Sequence, residues 1–347
     1  MSTIRHIRPV PSTAASGLVA RVYEQARRDF ALAPPILVHS PIPDLLAGMW
    51  CVLRETLVAG ALPRPVKEAT AAAISRLGRC PYCVDAHTLM LTAAGRGSSA
   101  RAIAAGRDEA VQDEETRQAL AWAAANRSPG APGLAQPPYP GHAAEMIGTA
   151  LAFHYINRVA HVFLPDSFFS LPPGTGWANG LVKGLVARVV AGKVKRRYSP
   201  GDSLALLPDV SLPADLPWAR SDSAIAGAYA RFATSVDAAG RDALSEGVRD
   251  LVLSRLAAWV GADPGLGNAW LEEALAELPD EDRAAGRLAL LIAFASYRVD
   301  GPTVAAYRVR YPEDRHLVGA VAWASYVAAR RVGEWLWAEW PEANGSG

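Results

Sequence analysis

Apolar and polar positions along the chain follow the 3.6-residue period of helices, interrupted by Pro and Gly, and no alternating run is long enough to predict a sheet. The pattern predicts an all-α protein, a helical bundle. Residues 16–30 read as an amphipathic helix, and residues 43–59 as a second one carrying Trp50 and Cys51. Between them PPILVHSPIPD, with prolines at 34, 35, 41 and 43, reads as non-helical. Residues 66–77 are Ala-rich without internal Gly or Pro, and Gly78 is expected to close that helix in the left-handed C′ position. Pro81 suits the first position of the next helix, where its missing N–H has no partner to lose. Residues 113–126 predict a further helix with acidic residues at its N-terminal end, followed by a Pro- and Gly-rich loop.

Residues 141–164, GHAAEMIGTALAFHYINRVAHVFL, predict a longer helix with His154, Asn157, Arg158 and His161 at i, i+3, i+4 and i+7. These four form one polar stripe on an otherwise apolar helix. His154 and His161 lie about 10 Å apart along the axis, too far to chelate one metal ion. The stripe has two readings: a solvent-facing side, or a lining for a pocket over Cys83 that orients a peroxide or carbonyl group.

Residues 165–176 are loop-rich, with three prolines and two glycines, and are a candidate domain boundary. Next comes a short apolar helix decorated by Lys183, Arg188, Lys193, Lys195, Arg196 and Arg197. Such a helix can lie on an anionic membrane, or simply end in a charged turn that suits its dipole. Beyond it the second half repeats the first faintly. Aligning residues 74–77 with 253–256 also sets Gly48 on Gly227 and Trp50 on Tyr229 without a gap. Glu68, Cys80, Cys83 and His87 then fall on Gly247, Trp259, Ala262 and Leu266. The expected organisation is a catalytic unit over residues 1–164, a linker with a basic helix over 165–221, and a degenerate, non-catalytic helical repeat over 222–347 with an empty apolar pseudo-site.

Composition narrows the class. The 347 residues suit two domains or one large one, half of them are hydrophobic, and the net charge of +1 gives no footprint for nucleic acid. Three cysteines, two of them in a C-x-x-C, fit a reducing compartment better than a disulfide framework. There is no apolar run long enough for an integral membrane segment, and the N-terminus lacks a signal-peptide core, so a cytoplasmic location is expected.

The chemistry concentrates in RPVKEATAAAISRLGRCPYCVDAHTLMLTAA, residues 64–94. Cys80 is placed at a helix N-cap, Cys83 in the first turn, and His87 one turn further on the same face, with Glu68 on the preceding helix. The helix dipole and the C-x-x-C spacing both favour thiolate. A zinc site lacks a fourth ligand of suitable spacing. Covalent haem needs the histidine directly after the second cysteine, where Val84 stands. The glutaredoxin-like reading of CPYC needs a strand before the motif, and a helix precedes it. Two inert buried cysteines remain a further reading.

Glu68, eleven residues, Cys80-Pro81-Tyr82-Cys83, three residues and His87 together resemble the E-x11-C-x2-C-x3-H motif of alkylhydroperoxidase D-like proteins within the carboxymuconolactone decarboxylase family. Alkylhydroperoxidase D carries a histidine where this chain has Tyr82. The resemblance implies an all-α fold and a thiol-dependent peroxidase needing no cofactor and no metal. It implies Cys83 as the attacking sulfur and Cys80 as the resolving one, while dipole arguments alone favour Cys80 equally. Glu68 and His87 would relay the proton, and Tyr82, His154, Asn157 and Arg158 are candidate substrate-pocket residues. Implied partners are a hydroperoxide, an external dithiol reductant such as a lipoyl-bearing protein, and further copies of the chain in a homo-oligomer. A carboxymuconolactone decarboxylase-like enzyme working without the thiols, and a non-catalytic thiol redox or assembly protein, are the alternatives.

Overall fold

A computed structural model describes residues 4–168 and 176–344, without the side chains of 176–183, 342 and 344. The described residues are helical, with no strand among them. The first half contains α1 (Gly17–Asp29), α2 (Pro34–Leu37), α3 (Pro43–Leu53), α4 (Arg64–Leu77), α5 (Pro81–Ala93), α6 (Gly97–Ala104), α7 (Glu114–Ala125) and α8 (Ala143–Phe163). Then come α9 (Gly176–Lys195), α10 (Ser223–Ala243), α11 (Glu246–Ala257), α12 (Ala269–Leu275), α13 (Asp280–Ala295), α14 (Gly301–Arg310), α15 (Asp314–Ala338) and α16 (Pro341–Asn344). Among these described helices none is long and apolar enough to cross a membrane.

Local chemistry sets the helix ends. Asp113 caps α7 by accepting from the Thr116 amide, Asp222 caps α10 through the Ala224 and Ile225 amides, and Asp300 caps α14 through Thr303. Two sequence expectations need correction here. The proline-rich segment after α1 does hold one helical turn, α2, because its prolines occupy the opening positions where no amide is required. Gly78 is not left-handed: its φ is −72°, and Arg79 takes the positive φ of 56° instead. What demands glycine at 78 is proximity, since a Cβ there would stand 3.0 Å from Asn157 Nδ2 on α8.

The two halves share one core. Helix α8 packs along α15, and α3 along α10. The latter approach is so close that a Cβ at Gly48 would lie 2.9 Å from the Phe232 Cα. Tyr155 on α8 meets Phe232 on α10 and Tyr326 on α15 edge-on, at 5.0 and 6.5 Å. Helix α9 covers α5, with Ala187 and Val194 against Leu89, Met90 and Ala93. The basic helix is therefore part of the wall around the C-x-x-C helix. Of the candidate boundary at 165–176, residues 169–175 lie outside the described residues.

Buried ions tie these layers together. The helix α3 continues as a π-turn, Arg54–Val58, whose first two side chains are sequestered. Arg54 bonds Asp29 at 2.8 Å, Glu55 at 2.8 Å and Asp202 at 3.0 Å, and Glu55 in turn accepts from the Ser203 hydroxyl at 2.6 Å. Cys51 beside them donates to the Ser203 carbonyl, and burial pushes its thiol up to about 11. Such groups contribute a unique arrangement rather than much net stability, because desolvation offsets most of their attraction.

The second half departs from the register expected for it. Residues 258–268, which should mirror the start of α5, form a loop, and Leu266 is 91% exposed. Gly261, Gly265 and Gly267 with Pro264 disfavour a helix there. Gly247, Trp259, Ala262 and Leu266 thus form no buried pseudo-site.

Two outcomes follow from this packing. A fragment ending at residue 164 uncovers the faces of α3 and α8, so it should aggregate or self-associate on size-exclusion chromatography; a stable monomer would show that the halves are independent. His39 accepts from the Tyr155 hydroxyl (2.6 Å) and donates to the Pro35 carbonyl (2.9 Å), and burial lowers its pKa to about 4. The unfolded chain therefore takes up this proton first. The stability it contributes is full above pH about 6.5 and falls by about 1.4 kcal/mol per pH unit down to the folded value. Thermal melts of His39→Gln should show a shallower loss between pH 7 and pH 5 than the parent.

Candidate active site

The candidate site is built where α4 and α5 pack against each other and against α8. Cys80 is the N-cap of α5, with its Sγ accepting from the Cys83 amide at 3.4 Å, and Pro81 opens the helix. The sulfurs belong to a half-turn whose amides favour negative charge. Both cysteines are reduced and about 2% exposed. Burial pushes the Cys83 thiol well above its ordinary range, and the neighbouring Cys80 sulfur adds to that. A thiolate at Cys83 therefore needs a base.

His87 follows Cys83 by one helical turn of α5. His87 Nδ1 lies 2.7 Å from Glu68 Oε2, and the other carboxylate oxygen accepts from Arg64 Nε at 2.6 Å. Burial opposes the Glu68 charge, but Arg64 and His87 outweigh it and hold the carboxyl below its usual range. Donation from Nδ1 to a carboxylate fixes the tautomer, so Nε2 is the basic nitrogen of the neutral ring. Phe153 of α8 holds the imidazole edge-on at 4.3 Å. Arg64 precedes Glu68 by one helical turn, a spacing legible in the sequence; Phe153 carries no signal there.

The next residue along, Lys67, is buried and paired with Glu145 of α8 at 3.0 Å. It also donates to the Ala59 carbonyl, while Glu145 accepts from the Ala61 and Leu62 amides. This clamp fixes the start of α4, and with it the direction of Glu68, against α8.

The polar stripe of α8 lies elsewhere. His154 and Asn157 are buried rather than facing solvent, and Arg158 is partly so. Asn157 accepts from the Ser75 hydroxyl at 3.1 Å and donates to the Ile74 carbonyl at 3.2 Å, which secures the end of α4. His161 reaches Ser296 at 2.8 Å and the Arg79 carbonyl at 3.0 Å. The stripe faces the second half because α15 and the turn Ser296–Arg298 after α13 pack against α8. His154, Asn157 and Arg158 line a cleft of about 370 Å³ between the halves. Neither Cys80, Cys83 nor Tyr82 lines it, so the cleft does not lie over the thiols. Tyr82 instead packs on Phe168, ring centroids 5.2 Å apart.

Arg79, adjacent to Cys80, is a positioning residue that sequence inspection passes over. Its left-handed backbone is uncommon for a residue with a Cβ. The second half holds it: its guanidinium pairs with Asp263 at 2.9 Å and lies 4.6 Å over the Tyr297 ring. This largely exposed pair joins the residue just before the Cys80 cap to the second half.

No family model matches the chain, and no solved structure matches it. An alkyl hydroperoxide reductase of Mycobacterium tuberculosis is 41% identical over 337 residues, which is 97% of this chain and 96% of the relative. A match of that extent spans both halves of the chain, α10 to α15 included. The chain belongs to the alkyl hydroperoxide reductase family.

Proposed function

We propose that the protein reduces alkyl hydroperoxides through Cys80 and Cys83. The observation that carries this reading is the buried Glu68–His87 pair, whose imidazole sits one turn along α5 from Cys83. A thiol raised by burial is a poor nucleophile without such a base. The relative's name, alkyl hydroperoxide reductase, supports the same substrate class.

In this mechanism His87, oriented by Glu68, takes the Cys83 proton directly or through water. The thiolate attacks the terminal peroxide oxygen, the O–O bond breaks, and a sulfenic acid forms at Cys83. The departing alkoxide takes a proton and leaves as alcohol, so the sulfur has lost two electrons and the peroxide has gained them. Cys80 then attacks the sulfenic sulfur, releasing water and closing a disulfide. An external dithiol, such as a lipoyl-bearing protein, returns two electrons and becomes a disulfide itself. No cofactor or metal enters this scheme. We also read the second half, residues 222–347, as a non-catalytic unit that buries apolar surface and braces Arg79.

Treating the reduced protein with a panel of hydroperoxides should consume about one equivalent and yield a Cys80–Cys83 disulfide by mass spectrometry. Cys80→Ser should stop at a trapped sulfenic acid on Cys83, whereas Cys83→Ser should form none. Sulfenic acid at Cys80 in the latter, formed at the parental rate, would reverse the roles. Full turnover by both single variants would sink the dithiol mechanism.

Glu68→Gln keeps the size of the side chain but removes its charge. Stopped-flow oxidation should slow by about a hundredfold at neutral pH, the usual worth of a positioned base. Because burial raises Cys83, the parent rate should still be rising with pH above neutrality. An unchanged rate in Glu68→Gln would remove the relay.

A further inference from the structure

The cleft between the halves contains a charge that the fold leaves unanswered. Arg158 Nε donates to the Ala293 carbonyl at 3.2 Å and Nη1 to the His154 carbonyl at 2.7 Å. Among the described residues no carboxylate pairs with it. Desolvation lowers its pKa to about 10, which leaves it cationic at neutral pH, yet the side chain is only part-buried because the cleft admits solvent to it. A guanidinium sunk in protein without an anion is costly, and the usual remedy is a paired carboxylate.

The cleft's other charges do not supply one. Its lining holds Arg79, Arg127 and Arg158 against the single carboxylate of Asp263, a surplus of two positive charges by three less one. Asp263 is already engaged by Arg79 at 2.9 Å, by the Tyr297 hydroxyl at 3.0 Å and by the Gly265 amide at 2.9 Å. His154 stays neutral, since burial and then Arg158 lower it to about 3. Around this cationic floor stand the rings of Trp259, Phe294, Tyr297 and Trp335. A volume of about 370 Å³ is at the small end of the range for small-molecule sites.

We propose that this cleft binds a small organic carboxylate with a flat, apolar body, the carboxylate resting on Arg158 and the body between the aromatic walls. The site is separate from the thiols and goes beyond the peroxidase reading; Gly78 and Arg79, which line it, are its link to Cys80. A hydrated inorganic anion satisfies the guanidinium but makes no use of the aromatic lining, and a neutral aromatic does the reverse. Only a molecule with both ends matches the lining.

Isothermal titration calorimetry of the full chain tests this with 3-phenylpropionate, 3-phenylpropionamide and inorganic phosphate as probes. Saturable binding of the carboxylate is expected, with the amide weaker by at least about thirtyfold, as befits loss of a desolvated charge pair. Arg158→Met should weaken the carboxylate by a similar factor. Val260 is 52% exposed at the rim, so Val260→Trp can fill the cleft without disturbing the core and should also abolish binding. If Arg158→Met fails to fold, Val260→Trp decides alone. Peroxide-driven thiol oxidation should persist in Val260→Trp, which separates failure of this site from failure of the thiol mechanism. Equal affinity for amide and carboxylate, displacement by equimolar phosphate, binding untouched in Val260→Trp, or no saturation by about 10 mM would each overturn the proposal.

Discussion

Helix α4 begins with three ionisable side chains, Arg64, Lys67 and Glu68, in a stretch that the fold buries. Each must be matched, because an unpaired charge inside a packed bundle costs several kcal/mol. Lys67 is matched by Glu145 on α8, and Glu68 by Arg64 on its own helix and His87 on α5. These pairings are directional in a way that apolar contacts are not. They fix how far α4 is rotated, which helix faces it, and which nitrogen of His87 holds the proton. The geometry around the two thiols is a consequence of satisfying these charges.

Burial excludes water from Cys80 and Cys83 but raises the cost of a thiolate at Cys83. The amides at the start of α5 offset part of this cost. The carboxylate–imidazole pair of Glu68 and His87 is likewise buried, one turn along α5 from Cys83. An exposed C-x-x-C would need less help, but its oxidised intermediates would be open to competing thiols.

The second half contacts the residue just before the Cys80 cap. It presents no counterpart of Cys80, Cys83, His87 or Glu68, but Asp263 and Tyr297 grip Arg79 in a left-handed conformation just before the Cys80 cap. Beside these contacts, in the cleft between the halves, Arg158 meets no carboxylate among the described residues. Gly78 and Arg79, which line that cleft, immediately precede Cys80 in the chain.

The longer helices of the first half, unlike α2 and α6, were legible in the sequence because they rest on local rules: proline at helix starts, acidic caps, and a 3.6-residue apolar period. The meeting of Glu68 with His87 was legible for the same reason, since a helical hairpin of that length brings these two positions together. What covers a polar face is a different kind of question. His154, Asn157, Arg158 and His161 form a stripe that sequence cannot assign to solvent or interior, because the choice depends on α13 and α15, more than a hundred residues away. The left-handed residue was misplaced at Gly78 since its glycine answers a close approach from Asn157, invisible without the packing. In the second half, a few aligned identities suggested a copy of the C-x-x-C helix, whereas glycines and a proline there make a loop. Short-range backbone preferences and side-chain periodicity are written in the chain itself; which charge meets which, and which cleft is left between them, is decided only when distant helices compete for the same buried surface.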